Sequence, residues 1–312
     1  MLRQLRIFYY NNKIKIWLGV GIIVFVYIII QLINANIKSN NEKNFLNNTG
    51  NISTVNEQTY LTSKNTTVMS DVEVSQETTK KDTDVIKQFV EYCNNKDIEK
   101  AYALLSQDCK DEMYKTQDVF ENNYVKEIFT ESKSYDVQTW TGEGNSVVYK
   151  LKYLNDIMAT GATNDEYIED YVTVITENGE KKLNINQFIK KDNINKIIKK
   201  GDLEANITNR YVYYDYEEYE ILFKNNGQDK IVLDTKEDTE SVYVKDTKDV
   251  KYHWFGNEIA NEYLELAPKE NRTLRIKFNK IYFANKSDSA IYFTDIHFNN
   301  ETYKETLEIN VK

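Results

Sequence analysis

The chain is poor in residues that bend, brace or activate. Its 312 residues include one proline and ten glycines, two cysteines and two histidines. So little Gly and Pro excludes a collagen-like or Pro-rich chain. Two cysteines exclude a disulfide-dense scaffold and a Cys-rich zinc module. His253 and His297 alone leave little material for histidine-based metal or acid–base chemistry. No G-x-S-x-G, P-loop, G-x-G-x-x-G, H-E-x-x-H or C-x-x-C is present. These absences point away from an enzyme and from a bound cofactor or metal. Tyrosine, by contrast, is abundant, at 24 residues.

The most pronounced pattern is at the start. Ile16 to Ile33 reads IWLGVGIIVFVYIIIQLI, without a charge. As a helix these residues span roughly 27 Å, close to the ~30 Å of a hydrocarbon core. Arg3, Arg6, Lys13 and Lys15 precede the run and no acid occurs before Glu42. The positive-inside rule then keeps residues 1–15 cytoplasmic and puts everything beyond Ile33 outside. The run exceeds a signal-peptide core and no small-residue cleavage site follows, so the expectation is a single-pass transmembrane helix over 16–33, with the bilayer as its partner.

Setting those four cations apart leaves −13 of the net −9 on the rest of the chain. So acidic a surface disfavours nucleic acid. Residues 34–81 are rich in Asn, Ser and Thr, with five Lys, five acids and few apolar positions. They read as a disordered tether with a reach of about 40 Å.

Beyond the tether, Ile86, Phe89, Val90 and Cys93 share one helical face, and Ile98, Ala101, Tyr102 and Leu105 repeat at i, i+3, i+4, i+7 on a second. A third helix starts near Thr116 and buries Phe120, Tyr124 and Ile128. The period then becomes two: Tyr135–Thr141, Val147–Tyr153, Tyr167–Thr176 and Lys181–Asn186 read as strands, an α+β layout. The stretch FVEYCNNKDIEKAYALLSQDC, with the helix and strands after it, resembles the NTF2-like (cystatin-like α+β) superfamily, in particular the domains of membrane-anchored proteins of low-GC Gram-positive bacteria. The resemblance covers residues 82–190. It implies a helical hairpin closing a bent sheet into a cone, whose cavity would draw on groups such as Tyr102, Asp136, Asp170 and Tyr171.

Residues 191–202 read as a linker. From 203 to 312, strand follows strand at spacings near ten residues, the pattern of an all-β Ig-like sandwich. One short cytoplasmic start, one membrane helix and an external NTF2-like domain together resemble the VirB8/TcpC-type subunits of conjugative secretion channels.

Four features carry the candidate chemistry. Cys93 and Cys109 fall on facing helical stripes and are either a disulfide or two buried thiols. Tyr211, Tyr213, Tyr214, Tyr216 and Tyr219 form the densest aromatic patch, readable as a partner or ligand face or as cross-strand packing. Asp234, Glu237, Asp238, Glu240, Asp246 and Asp249 are acidic enough for Ca²⁺ but lack EF-hand spacing. His253 and His297 complete the set. The function expected is a non-enzymatic, membrane-anchored extracytoplasmic module that binds or assembles with an envelope protein. A small-ligand or sensory pocket and a VirB8-like channel subunit are the alternatives.

Overall fold

The computed structural model describes residues 65–66, 73–143, 146–155, 167–283, 287–298 and 303–311. All belong to one compact unit, Asn56–Lys312. The apolar run 16–33 and most of the expected tether lie outside the described residues. Among the described residues no helix is long and apolar enough to cross a membrane.

The first helix, α1 (Gln76–Asn94), begins inside the segment read as tether. Ser75 caps it by accepting from the Thr78 N–H at 3.1 Å. Asp82, expected near the start of this helix, lies on its buried face and accepts from the Tyr149 hydroxyl at 3.0 Å. Helices α2 (Ile98–Ala103), α3 (Gln107–Glu112) and α4 (Gln117–Phe120) follow, α4 running on through a π-helical turn over Glu121–Val125. Strands β1 (Lys133–Glu143), β2 (Ser146–Asn155), β3 (Tyr167–Glu177) and β4 (Glu180–Asn184) form an antiparallel meander. Asn178 and Gly179, at φ 52° and 84°, make the two-residue hairpin that joins β3 to β4.

Inward residues of this sheet, Tyr149, Leu151, Tyr153, Val172, Val174 and Leu183, meet Ile86, Phe89, Val90 and Cys93 of α1 and Phe120, Tyr124 and Phe129. Rings fill the space between the layers: Phe120 stacks on Tyr124 at 5.8 Å and Phe129 meets Tyr153 edge-on at 5.2 Å. The NTF2-like cone is therefore not formed. Four strands lie under a helical layer, with aromatic side chains packed where a cavity was expected. Tyr102, Asp136, Asp170 and Tyr171 do not converge. Tyr102 donates to the Tyr114 carbonyl at 2.8 Å, while Asp170 and Tyr171, as neighbours on β3, point to opposite faces. The comparison with conjugative-channel subunits loses its structural basis with the cone.

The residues read as a linker are a strand. β5 (Phe188–Lys200) turns through Gly201 and Asp202 into β6 (Leu203–Tyr213) and then β7 (Glu217–Asn225). The segment NINKIIKK mixes amide, lysine and β-branched residues, so it carries no clean period. Its pairing with β6 decides its state. Short strands β8 (Ile231–Val232), β9 (Val242–Asp246), β10 (Lys251–His253) and β11 (Glu265–Leu266) precede β12 (Asn271–Phe278), β13 (Asp288–Phe298) and β14 (Glu305–Asn310). One sheet has the order β12-β7-β6-β5. The other runs β10-β9-β13-β8-β11, with β14 also on β13. A short helix at Asn261–Leu264 lies within what was read as an unbroken succession of strands.

Between these sheets Leu203, Ala205, Ile207, Ile221, Phe223 and Ile276 pack on Val242, Val244, Ile291, Phe293, Leu307 and Ile309. Burial of each Val, Leu, Ile or Phe among them contributes about 1.5–3 kcal/mol. The β-rich half thus starts at Phe188, not at 203, and borrows its edge strand from the expected linker.

Candidate functional site

A register shift in β6 builds the seam between the helical layer and the paired sheets. Before it, Leu203, Ala205 and Ile207 face the inter-sheet core; after it, at Ile207/Asn209, the facing inverts. One extra residue, Thr208, moves every following side chain to the other side. Tyr211 and Tyr213 consequently join the core of the helical layer, while Arg210 turns inward beside Tyr219.

The five tyrosines are thus distributed over three environments. Tyr213 packs on Phe188 at 5.4 Å, stacks with Tyr216 at 4.4 Å, and donates its hydroxyl to Glu112 Oε1 at 3.0 Å. Tyr214 stacks on Tyr171 of β3 at 3.5 Å, with Trp140 edge-on to both. Tyr219 is fully buried between the sheets. Tyr211 alone borders an open cleft.

That cleft, about 260 Å³, is lined by Asp108, Asp111 and Glu112 of α3, Lys115 beyond it, Lys191 of β5, Tyr211 of β6 and Arg275 of β12. α3 exists because Ser106 caps it, accepting the Cys109 N–H at 3.0 Å, while Tyr114 anchors its far end in the core. The cap fixes which carboxylates look outward. Glu112 receives both guanidinium nitrogens of Arg275, at 2.5 and 2.8 Å, in a bidentate pair. The Arg275 guanidinium lies 3.9 Å over the Tyr211 ring, and Lys191 approaches the same ring to 5.5 Å. Glu218 and Glu220 of β7 stand 3.6 and 3.8 Å from Arg275. Burial pushes the Asp108 carboxyl above its ordinary range; Lys191 pulls it back, and Glu177, Asp111 and Asp192 push it up again.

Chemically, the cleft offers three carboxylates, three cations and one aromatic ring. It holds no thiol and no histidine, and its volume suits a charged side chain or a small zwitterion better than an apolar ligand. Glu112, Lys191 and Arg275 were not found from the sequence, since they come from three elements far apart in the chain. The one available signal was Tyr211 itself, whose charged cross-strand partners, Lys191 and Glu218, emerge only with the pairing.

A second polar cluster closes the end of the inter-sheet core. Inner positions of β7 alternate as Glu217, Tyr219, Ile221 and Phe223, so a carboxyl continues a hydrophobic row. Lys280, 1% exposed, places Nζ 2.9 Å from Glu217 Oε1 and also contacts Asp288 Oδ1. Arg210 Nη1 lies 3.0 Å from Asp288 Oδ2 and 3.9 Å from Glu217 Oε2, and its Nη2 reaches Asp192 at 2.5 Å. The Tyr219 hydroxyl donates to Asp288 Oδ2.

Cys93 and Cys109 are free thiols, both buried. α2 ends at Ala103 and Cys109 lies on the separate helix α3, so the stripe expected to face that of Cys93 stops before Cys109. Burial raises both thiols well above their ordinary range, Cys109 to about 12. Neither should therefore react with Ellman's reagent in the folded protein, and both should react in denaturant without prior reduction. A requirement for reductant would show a disulfide instead.

Of the loop acids, Asp246 accepts from the Lys248 and Val250 N–H groups at 2.8 and 3.0 Å, and Asp234 from the Lys236 N–H at 2.7 Å. These are turn-forming bonds. Among the described residues no group of three or more His, Cys, Asp or Glu is arranged to hold a metal ion. His253 lies opposite Tyr243 on β9, and His297 opposite Val232 on β8, at different places along the sheet.

The chain matches no protein-family profile and no curated protein. A solved structure of a conserved hypothetical protein from Bacillus anthracis aligns with 39% of this chain and 96% of its own, at 18% identity. Its TM-score of 0.25 is too low to carry an argument about fold or function.

Proposed function

We propose that this protein is a non-enzymatic extracytoplasmic binding module, held at a membrane by the apolar run 16–33, and that the cleft beside Tyr211 receives a charged segment of an envelope partner. The observation that carries this reading is the Glu112–Arg275–Tyr211 arrangement. A bidentate ion pair stacked on an aromatic ring is a rigid, pre-formed floor. Around it Asp108, Asp111, Lys115 and Lys191 present charges of both signs. Opposite charges at a rim select and orient a partner more than they hold it. The acidic bulk of the chain adds long-range attraction for a basic partner surface.

The test is photocrosslinking of the full chain in its host membranes, with the probe residue at Lys115 on the cleft rim or at Lys248 on a distant exposed turn. A discrete adduct is expected from position 115 and not from 248, and Lys191→Glu should abolish it. Identical patterns from both positions, or an adduct indifferent to Lys191→Glu, would remove the cleft from consideration.

A further inference from the structure

Two cations and three carboxyl groups meet where the inter-sheet core ends, and one buried carboxyl oxygen among them is left without a donor. Arg210 of β6 and Lys280 after β12 face Asp192 of β5, Glu217 of β7 and Asp288 of β13, with Tyr219 of β7 bonded to Asp288. Tyr252 of β10 lies under Lys280, 5.7 Å from its Nζ, and donates to Asp246 at the end of β9 at 3.2 Å. Asp192 lies at the part-exposed rim and is shared with Lys190 at 3.7 Å, so the deeply buried carboxyls are Glu217 and Asp288, where an oxygen left without a donor is costly.

The geometry identifies which oxygen this is. Glu217 is 3% exposed, and its Oε2 finds no donor, although Glu217 Oε1 and both Asp288 oxygens do. An acceptor that is buried and without a donor is satisfied if it carries a proton itself and donates it. Asp288 is the acceptor at hand, because Lys280 bridges Glu217 Oε1 and Asp288 Oδ1, and Arg210 Nη1 faces both Asp288 Oδ2 and Glu217 Oε2.

We infer that Glu217 and Asp288 share one proton and form a clasp between the two sheets that loosens when the proton leaves in mild alkali. In its absence two like charges face each other across the sheets, and the end of the core bounded by Glu217, Lys280 and Asp288 must open or admit water. The titration behaviour agrees. Burial first, then Asp288, raises Glu217 to about 8, against the pull of Lys280 and Arg210. Burial works against Asp288 as well, but hydrogen bonds from Glu217, Lys280 and Tyr219 hold its carboxyl below the ordinary range.

The sign follows from proton counting. A carboxyl whose folded value is raised binds more protons in the folded than in the unfolded chain between about 4.3 and 8, so Glu217's contribution falls as pH rises through that window. Asp288, being lowered, contributes in the opposite sense, and only near and below its unfolded value of about 3.9. Between pH 5 and 8 the folding constant of the full chain in non-ionic detergent should therefore lose about tenfold per pH unit relative to Glu217→Gln, which keeps the donor and cannot ionise. Above pH 8 the two should run parallel. Equal slopes from pH 5 to 8 would overturn the clasp. If Glu217→Gln does not fold, the wild-type chain decides by infrared difference spectroscopy. A protonated-carboxyl band present at pH 6.5 and gone by pH 9.5 is expected, and no such band at pH 6.5 would overturn the proposal.

Discussion

Lys280→Ala should destabilise the full chain by about 3 kcal/mol, read as a fall in the urea midpoint at unchanged slope. The lysine is 1% exposed and is the cation nearest to both Glu217 and Asp288. Removing it leaves Asp288 with Arg210 and Tyr219, and takes from Glu217 Oε1 the Lys280 donor at 2.9 Å. The loss is that of buried carboxyl oxygens left without a donor and not the worth of one ion pair, so it exceeds the ~0–1 kcal/mol of a surface pair. Lys277→Ala is the natural comparison, since Lys277 stands 3.6 Å from an exposed Glu258. A Lys280→Ala effect no larger than that of Lys277→Ala would mean that water enters the cluster freely.

Asp170→Ala should be comparably severe, at about 3–5 kcal/mol. Its carboxylate accepts from the Tyr124 hydroxyl at 2.9 Å and from the Asn186 and Gln187 N–H groups at 3.1 and 2.9 Å. Each buried donor left without a partner costs about 1–3 kcal/mol. Asn186 and Gln187 also sit at φ 56° and 64°, a conformation that the carboxylate holds in place. Burial raises Asp170 above the ordinary carboxylate range, while the bonds from Tyr124, Asn186 and Gln187 pull it down. Asp170→Asn keeps one acceptor oxygen and should lose less. Hydrogen exchange separates this account from simple loss of volume. In Asp170→Ala the amides of residues 186 and 187 should exchange much faster, and unchanged exchange there would sink the explanation.

Much of the secondary structure could be read from period and composition. Tyr149, Leu151 and Tyr153 do alternate inward on β2, and β3 spans Tyr167–Glu177 where the alternation placed it. Helical stripes at Ile86, Phe89, Val90 and Cys93 are buried as their spacing implied. What could not be read was set by partners. Residues 191–202 lack a period and become strand because β6 supplies the ladder. The register shift at Thr208 has no sequence signature, yet it decides that Tyr211 faces α3 and that Arg210 enters the core. The cone failed for a similar reason. The motif FVEYCNNKDIEKAYALLSQDC determines helices, but whether the sheet beneath them encloses a cavity depends on how Phe120, Tyr124, Phe129 and Tyr153 fill the gap. Glu217 looked like an ordinary strand acid in an acidic chain. Its burial follows from its place one step beyond Tyr219 in an inward row.

β6 has a wider consequence. Its first half, Leu203 to Ile207, belongs to the inter-sheet core, and Tyr211 and Tyr213 belong to the core under the helices. β5 is divided in the same way, with Phe188 on one side and Ile194 and Ile198 on the other. Neither half can be exchanged between genes as a self-contained cassette, because a crossover anywhere within 188–216 strips both interiors of a wall.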